Sequence, residues 1–324
     1  MSTLAQKLII DADPGIGDAV ALALALADPA LDVLAVTAVA GCVSARQAGR
    51  NLQTLLEWID PPKHPRLGVP ELHVHDDTHL GARFPGETAR QMQRLHGTDG
   101  LGSWQTAAAD LHHPRDAAKL LVELVHQYPH EIVLLTLGPL TNVALAQSRD
   151  AGFLSMLKGL VVLGGTYSAP GDVSPVAELN LAFDPQSARS VLRSPATKTL
   201  VPLDISRKLT LSFEQYQRLN MSTETHGGRL MSRLLPDYLR AHHDWLGVEG
   251  VHLPEVVALF AVTHSELFDR MTCALDIETE GELTRGMTVI DRRPRPEWRN
   301  NIDVLVGTEP QRLRDELQKQ LERA

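Results

Sequence analysis

Apolar and polar positions along the chain switch repeatedly between the period of a strand and the period of a helix. The run KLIID at 7–11 is short and apolar, as a buried strand is, and it ends in DADPG. From Asp18 through Ala27 the apolar density is that of a buried helix. A second strand is expected over Leu31–Val39, ending at Ala40-Gly41-Cys42, followed by an amphipathic helix over Ser44–Ile59 with Ser44 as its cap. After Pro114 the alternation resumes, predicting helices at 115–127, 139–148 and 184–193 and strands at 131–137, 159–163 and 198–203. Short right-handed crossovers would lay such strands side by side and mostly parallel.

Elsewhere the texture differs. The stretch 60–114 is irregular, with proline, histidine and glycine clusters and one helix expected near 87–95. A loop-rich excursion of that length is more often functional than merely connecting. Residues 211–247 and 252–263 read as helical, and strands are expected around 272–278, 286–291 and 302–306 before a polar helix at 309–323. These late strands should extend the sheet as a mixed edge. Because no linker or repeat divides the chain, the expected fold is a single α/β domain over 1–324, with a mostly parallel central sheet flanked by helices.

Forty acidic residues against thirty-one basic ones give a net charge of −9, which argues against nonspecific binding to nucleic acid or to an anionic membrane. No apolar run is long enough to span a bilayer, and MSTLAQKLIIDAD lacks the features of a signal peptide, so a cytoplasmic location is expected. With only Cys42 and Cys273, a four-cysteine zinc site within one chain is impossible and a disulfide scaffold is not expected. Cys273, in MTCALDI, reads as core. The absence of GxGxxG, GxxxxGK and GxSxG segments argues against dinucleotide, phosphate-loop and serine-hydrolase chemistry. Cys42 as a nucleophile would need a lowered thiol pKa, which the sequence does not establish.

The sharpest chemistry lies in Asp11-Ala12-Asp13-Pro14-Gly15-Ile16-Gly17-Asp18. Carboxylates at a strand end, with another near a helix N-terminus, can gather a hard cation, and Asp13 could then polarise or deprotonate a bound water. The same residues could instead cap the helix while the glycines make the turn. Glu178 and Asn180, two apart in VAELN, can face one ligand if that loop is extended.

Together with AGCVS, HGTDGLG, TLGPLTN, VVLGG, VAELN and the segment beginning at His252, this motif resembles the inosine-uridine-preferring nucleoside hydrolase family. The resemblance implies hydrolysis of the N-glycosidic bond of a small-molecule nucleoside by water and calcium, in a homodimer or homotetramer. It assigns Asp13 as calcium ligand and water activator, Asp18 as a bidentate ligand and the Leu137 carbonyl as a further ligand. Glu178 and Asn180 would bind the sugar, His96 would lie near the ligand, and His252 would protonate the leaving base.

The departures are specific. Where the family has DTDPGxDD, AGN and His-Asp, this chain has Gly17, Cys42 and Leu253, and Asp172 stands where a sugar-facing asparagine is usual. Leucine offers no oxygen to calcium, so the ion should bind more weakly, unless Asp172 or Glu255 takes over part of the role. An aspartate at 253 should strengthen calcium binding if that side chain points inward, and should destabilise the fold if it is buried. Two outcomes follow: a divergent hydrolase of an ordinary or modified nucleoside, or a catalytically silent homologue that binds a ligand or partner.

Overall fold

A computed structural model describes residues 5–70, 84, 87–104, 115–219, 221 and 224–323. Among them, β1 (Gln6–Ala12), β2 (Leu31–Ala38), β3 (Arg66–Val69), β4 (Arg115–Asp116), β5 (Val133–Thr136), β6 (Gly159–Leu163) and β7 (Lys198–Val201) form a parallel array. Beyond it come β8 (Thr210–Ser212), β9 (Gly250–His252), β10 (Phe268–Cys273), β11 (Leu275–Ile277), β12 (Thr288–Ile290) and β13 (Ile302–Thr308). The helices are α1 (Ile16–Ala27), α2 (Ala45–Ile59), α3 (Glu87–His96), α4 (Ala117–Gln127), α5 (Thr141–Arg149), α6 (Leu179–Phe183), α7 (Pro185–Leu192), α8 (Leu203–Ser206), α9 (Phe213–Arg218), α10 (His226–Leu246), α11 (Pro254–Thr263) and α12 (Pro310–Arg323).

The central sheet runs β10-β13-β7-β6-β5-β1-β2-β3-β4. β13 joins parallel to β7 and β10 closes that edge antiparallel, which makes the sheet mixed at its C-terminal side. Along β1 the side chains alternate between two cores. Leu8, Ile10 and Ala12 pack with α1, α2, α10 and α11, whereas Ile9 packs with α4, α5 and α7 on the other face. Helices on both faces explain why the strands read as continuous apolar runs rather than as alternating ones. Among the described residues no helix is long and apolar enough to cross a membrane.

Local signals set several boundaries as expected. The Ser44 hydroxyl accepts the Gln47 N–H at 3.3 Å and opens α2, and Cys273 is buried. Three differences have physical causes. β3 and β4 are short, half-exposed strands whose polarity hides them, while residues 71–83 and 105–114 of that excursion lie outside the described residues. Within the expected helix 211–247, β8 pairs antiparallel with β9, and Ser212 then caps a new helix by accepting the Gln215 N–H at 3.1 Å. That pairing also holds His252 in a strand, so the following helix starts at Pro254, whose fixed φ suits a first helical position.

Candidate active site

β1 sits between β2, its successor on one side, and β5 on the other, so the strand order reverses there and leaves a crevice at the carboxyl ends. Asp13 follows β1, Cys42 follows β2, Leu137 follows β5 and Gly164 follows β6, and all of them line one cavity of about 360 Å³. Asp18, His96, Asp172, Glu178, Asn180 and His252 line it too. A larger depression of about 690 Å³ lies at the other end of the sheet, between Arg193–Lys198 and Trp298–Asp303. The Lys198 ammonium there is tied to the carbonyls of Ser194 and Ala196.

Asp13 is only 2% exposed. Its Oδ2 accepts the Cys42 N–H at 2.7 Å, and the backbones of Gly41 and Gly138 press on the carboxylate from both sides. A Cβ at Gly41 would lie 2.0 Å from Asp13 Oδ2, and one at Gly138 would lie 2.5 Å from Oδ1, so both positions require glycine for close approach. Asp11 is structural: it accepts the Thr37 hydroxyl at 2.5 Å and the Asn142 amide at 2.8 Å, tying β1 to β2 and α5.

For Asp18, capping and cavity-facing readings hold together. Its Oδ2 accepts the Gly15 N–H at 2.9 Å at the start of α1, while Oδ1 is buried with no partner among the described residues. Burial pushes Asp18 up to about 6. Burial, then the neighbouring Asp18 charge, hold Asp13 well above the ordinary carboxylate range. The Cys42 thiol is pushed up by burial and by Asp13 and Asp18, so it remains a protonated thiol rather than a nucleophile.

Glu178 caps the short helix α6. Its Oε1 accepts the Asn180 N–H, its Oε2 accepts those of Gly165 and Leu181, and burial together with the Asp172 charge still pushes it up to about 8. Asn180 spends both amide hydrogens on backbone, donating to the Leu137 carbonyl at 2.7 Å and the Leu163 carbonyl at 3.1 Å. Its Oδ1 is left to accept from a ligand. Asp172 Oδ1 accepts the Leu179 N–H at 2.9 Å, with Arg207 3.7 Å from Oδ2.

Four imidazole and phenol rings form the opposite wall. His96 Nδ1 accepts the Ile16 N–H at 3.2 Å, so in the neutral ring Nε2 carries the proton. Burial, then His242, lower His96 to about 4. Tyr238 and His242, one turn apart on α10, line the cavity and had escaped the sequence reading; their spacing on one helical face was the available signal. The Tyr238 ring lies 5.2 Å from His96 and 4.3 Å from His242, which in turn lies 6.5 Å from His252. His252 Nδ1 shares a 3.2 Å hydrogen bond with the Thr210 hydroxyl, and burial and Arg207 lower its pKa.

The donor set suits a hard cation: two buried carboxylates, one with an orphaned oxygen, and the Leu137 carbonyl. Among the described residues no three His, Cys, Asp or Glu side chains group to hold a metal.

A model of the family described as "Inosine-uridine preferring nucleoside hydrolase" matches residues 8–315. "Uridine nucleosidase 1" of Arabidopsis thaliana is 35% identical over 310 residues, covering 94% of this chain and 87% of its own. "Pyrimidine-specific ribonucleoside hydrolase RihA" of Shewanella sp. (strain ANA-3) is 32% identical over 310 residues, covering 95% and 93%. The solved structure "Plant nucleoside hydrolase - PpNRh1 enzyme" superposes with a TM-score of 0.83 at 25% identity, over 98% of this chain and 99% of that one. The chain belongs to the inosine-uridine preferring nucleoside hydrolase family.

Proposed function

We propose that the protein hydrolyses the N-glycosidic bond of a ribonucleoside, with a pyrimidine nucleoside such as uridine as the first substrate to test. The observation that carries this reading is the convergence of Asp13, Asp18 and the Leu137 carbonyl with Glu178, Asn180 and His252 in one cavity at the strand-order switch. The names of the Arabidopsis and Shewanella relatives supply the choice of base.

Asp13, Asp18 and the Leu137 carbonyl would hold calcium, which when bound supplies Lewis-acid polarisation of water. Asp13 takes a proton from the water whose oxygen adds to the sugar's anomeric carbon as the C–N bond breaks. Glu178 Oε1 and Asn180 Oδ1 orient the sugar by accepting its hydroxyls. With its pKa below the ordinary imidazole value, His252 is mostly neutral at pH 7 and meets the departing base as an N–H donor. The test is sugar release from uridine, cytidine, inosine and adenosine at matched calcium. Release from none of them, with ligand binding intact, would favour the silent homologue.

The raised acids make calcium binding readable in stability. An acid whose pKa rises on folding contributes stability below its unfolded value, near 4, and loses it as pH climbs through the folded one. For Asp18 and Glu178 that window runs up to about 6 and about 8. The metal-free protein should therefore lose thermal stability between pH 5 and pH 8. Calcium at about 100 times its Kd should restore about 2.7 kcal/mol, with a tighter Kd at pH 8 because deprotonated acids bind it. Unfolding scans at both pH values check this, and a calcium effect larger at pH 5 would contradict it.

A further inference from the structure

The depression of about 690 Å³ lies at the amino ends of β7 and β13, so the length of those strands separates it from the candidate active site. Lys198 lines it and is nevertheless only 2% exposed, which makes this lysine part of the floor. Its ammonium donates to the carbonyls of Ser194 and, at 3.1 Å, Ala196, in the turn after α7. An ammonium carries three protons, so one remains. Lysine is almost never fully buried without a counter-ion, yet among the described residues no carboxylate pairs with this one, and burial alone lowers its pKa, to about 8. It is therefore mostly charged at pH 7. Ser194 lines the same cavity, and its hydroxyl is buried with no hydrogen-bond partner among the described residues. A buried cation and a buried hydroxyl on one floor, both short of acceptors, call for an occupant that supplies them.

The wall above this floor is held by Asp291, whose side chain is 3% exposed. It gathers the loop after β12 by accepting the Arg293 guanidinium at 2.8 and 2.7 Å and the N–H groups of Glu297 and Trp298 at 2.9 and 3.4 Å. That turn sets Trp298, 43% exposed, and Arg299 against the cavity. Arg299 is exposed and makes no ion pair among the described residues. The acids that share the lining are already matched. Asp276 takes the Arg189 guanidinium at 2.9 and 3.0 Å with Arg193 3.7 Å away, and Asp303 accepts the Thr272 hydroxyl at 2.5 Å. An anion therefore meets two free cations and a hydroxyl, with an aromatic face beside them. Three donor groups match the three acceptor oxygens of a phosphate better than the two of a carboxylate, and indole is a stacking surface for a nucleobase. We propose that this cavity binds a nucleoside monophosphate, its phosphate held by Lys198, Ser194 and Arg299 and its base stacked on Trp298. The site is separate from the hydrolytic cavity and does not depend on the function proposed for it.

The experiment is calorimetry on the full chain with uridine monophosphate, adenosine monophosphate and inorganic phosphate, in wild type, R299A, W298A, S194A and K198M, with folding checked by circular dichroism. Wild type should bind one nucleotide per chain. R299A is expected to weaken that binding about 10- to 100-fold, the worth of a charge-assisted hydrogen bond, and W298A about 5- to 100-fold, that of one stacked base. Both side chains lie at the surface, so these two variants keep the test open if K198M or S194A does not fold. Inorganic phosphate should bind more weakly than either nucleotide, and its affinity should fall in R299A while staying unchanged in W298A, which separates the phosphate half of the site from the base half. In D13N protein, which spares uridine from hydrolysis, saturating uridine should leave nucleotide affinity unchanged. Displacement of the nucleotide by uridine would place it in the hydrolytic cavity and overturn the proposal. The same follows from an absence of nucleotide binding at millimolar concentrations, or from unchanged binding in folded R299A and W298A. Phosphate binding as tight as that of the nucleotides would make this a site for phosphate alone, and a dimer that W298A dissociates and that excludes the nucleotide would make the face a contact between copies of the chain; either result overturns the nucleotide assignment.

Discussion

D13N protein should fold normally and release sugar about 10²- to 10⁴-fold more slowly than wild type, the usual contribution of a positioned general base. Asparagine matches aspartate in shape, and its carbonyl oxygen can still accept the Cys42 N–H that holds Asp13 at 2.7 Å. It cannot take a proton from water, and it removes one of the two charges offered to a cation. The effect on stability has the opposite sign. Because burial and Asp18 raise the Asp13 pKa, ionising it costs folding free energy as pH rises, and a neutral amide avoids that cost. Metal-free D13N should therefore be at least as stable as metal-free wild type at pH 8, while gaining less from calcium. Single-turnover sugar release and thermal unfolding with and without calcium measure both halves. Undiminished release from folded D13N would remove Asp13 from the reaction.

L253D should be the most damaging of the single substitutions considered, destabilising the protein by roughly 3 to 5 kcal/mol, the range for an uncompensated buried charge. Leu253 is 0% exposed and shares a core with Leu209, Val251 and Val256. Its backbone N–H donates to the Leu209 carbonyl at 3.3 Å. Of the two consequences expected from sequence for this substitution, the structure selects the destabilising one, since the side chain points into the core. An aspartate there would have a raised pKa, so its cost should grow as pH rises from about 4, whereas L253N should show a cost independent of pH. The unfolding midpoint at pH 7 should fall by roughly 6 to 20 °C. A folded L253D protein that binds calcium more tightly than wild type would show that position 253 can turn to the cavity.

The chain's local patterns were enough to determine most of the alternation of strands and helices and the placing of Asp13, Cys42 and Leu137 at or just beyond strand ends. Strand and helix periods are carried by neighbours, and in a parallel sheet every carboxyl end falls on the same edge. The gathering of His96, Asn180 and His252 there came from the family resemblance rather than from periodicity, and all three line the cavity. What a side chain does on arrival was decided only by packing. Asp18 both caps α1 and leaves an orphaned oxygen in the cavity, a division set by which of its two oxygens meets Gly15. Asn180 spends its amide hydrogens on carbonyls from two strand ends, a bond pattern that exists only once β5 and β6 lie side by side. Tyr238 and His242 reach the site because α10 folds back across the face carrying α1. Substitution of Gly17 reads as a loss along the chain, yet the gap it leaves is filled by a carboxylate from α11, an element remote in sequence. Local periodicity records which residues are buried; which distant side chain fills a particular gap is a property of close packing in three dimensions.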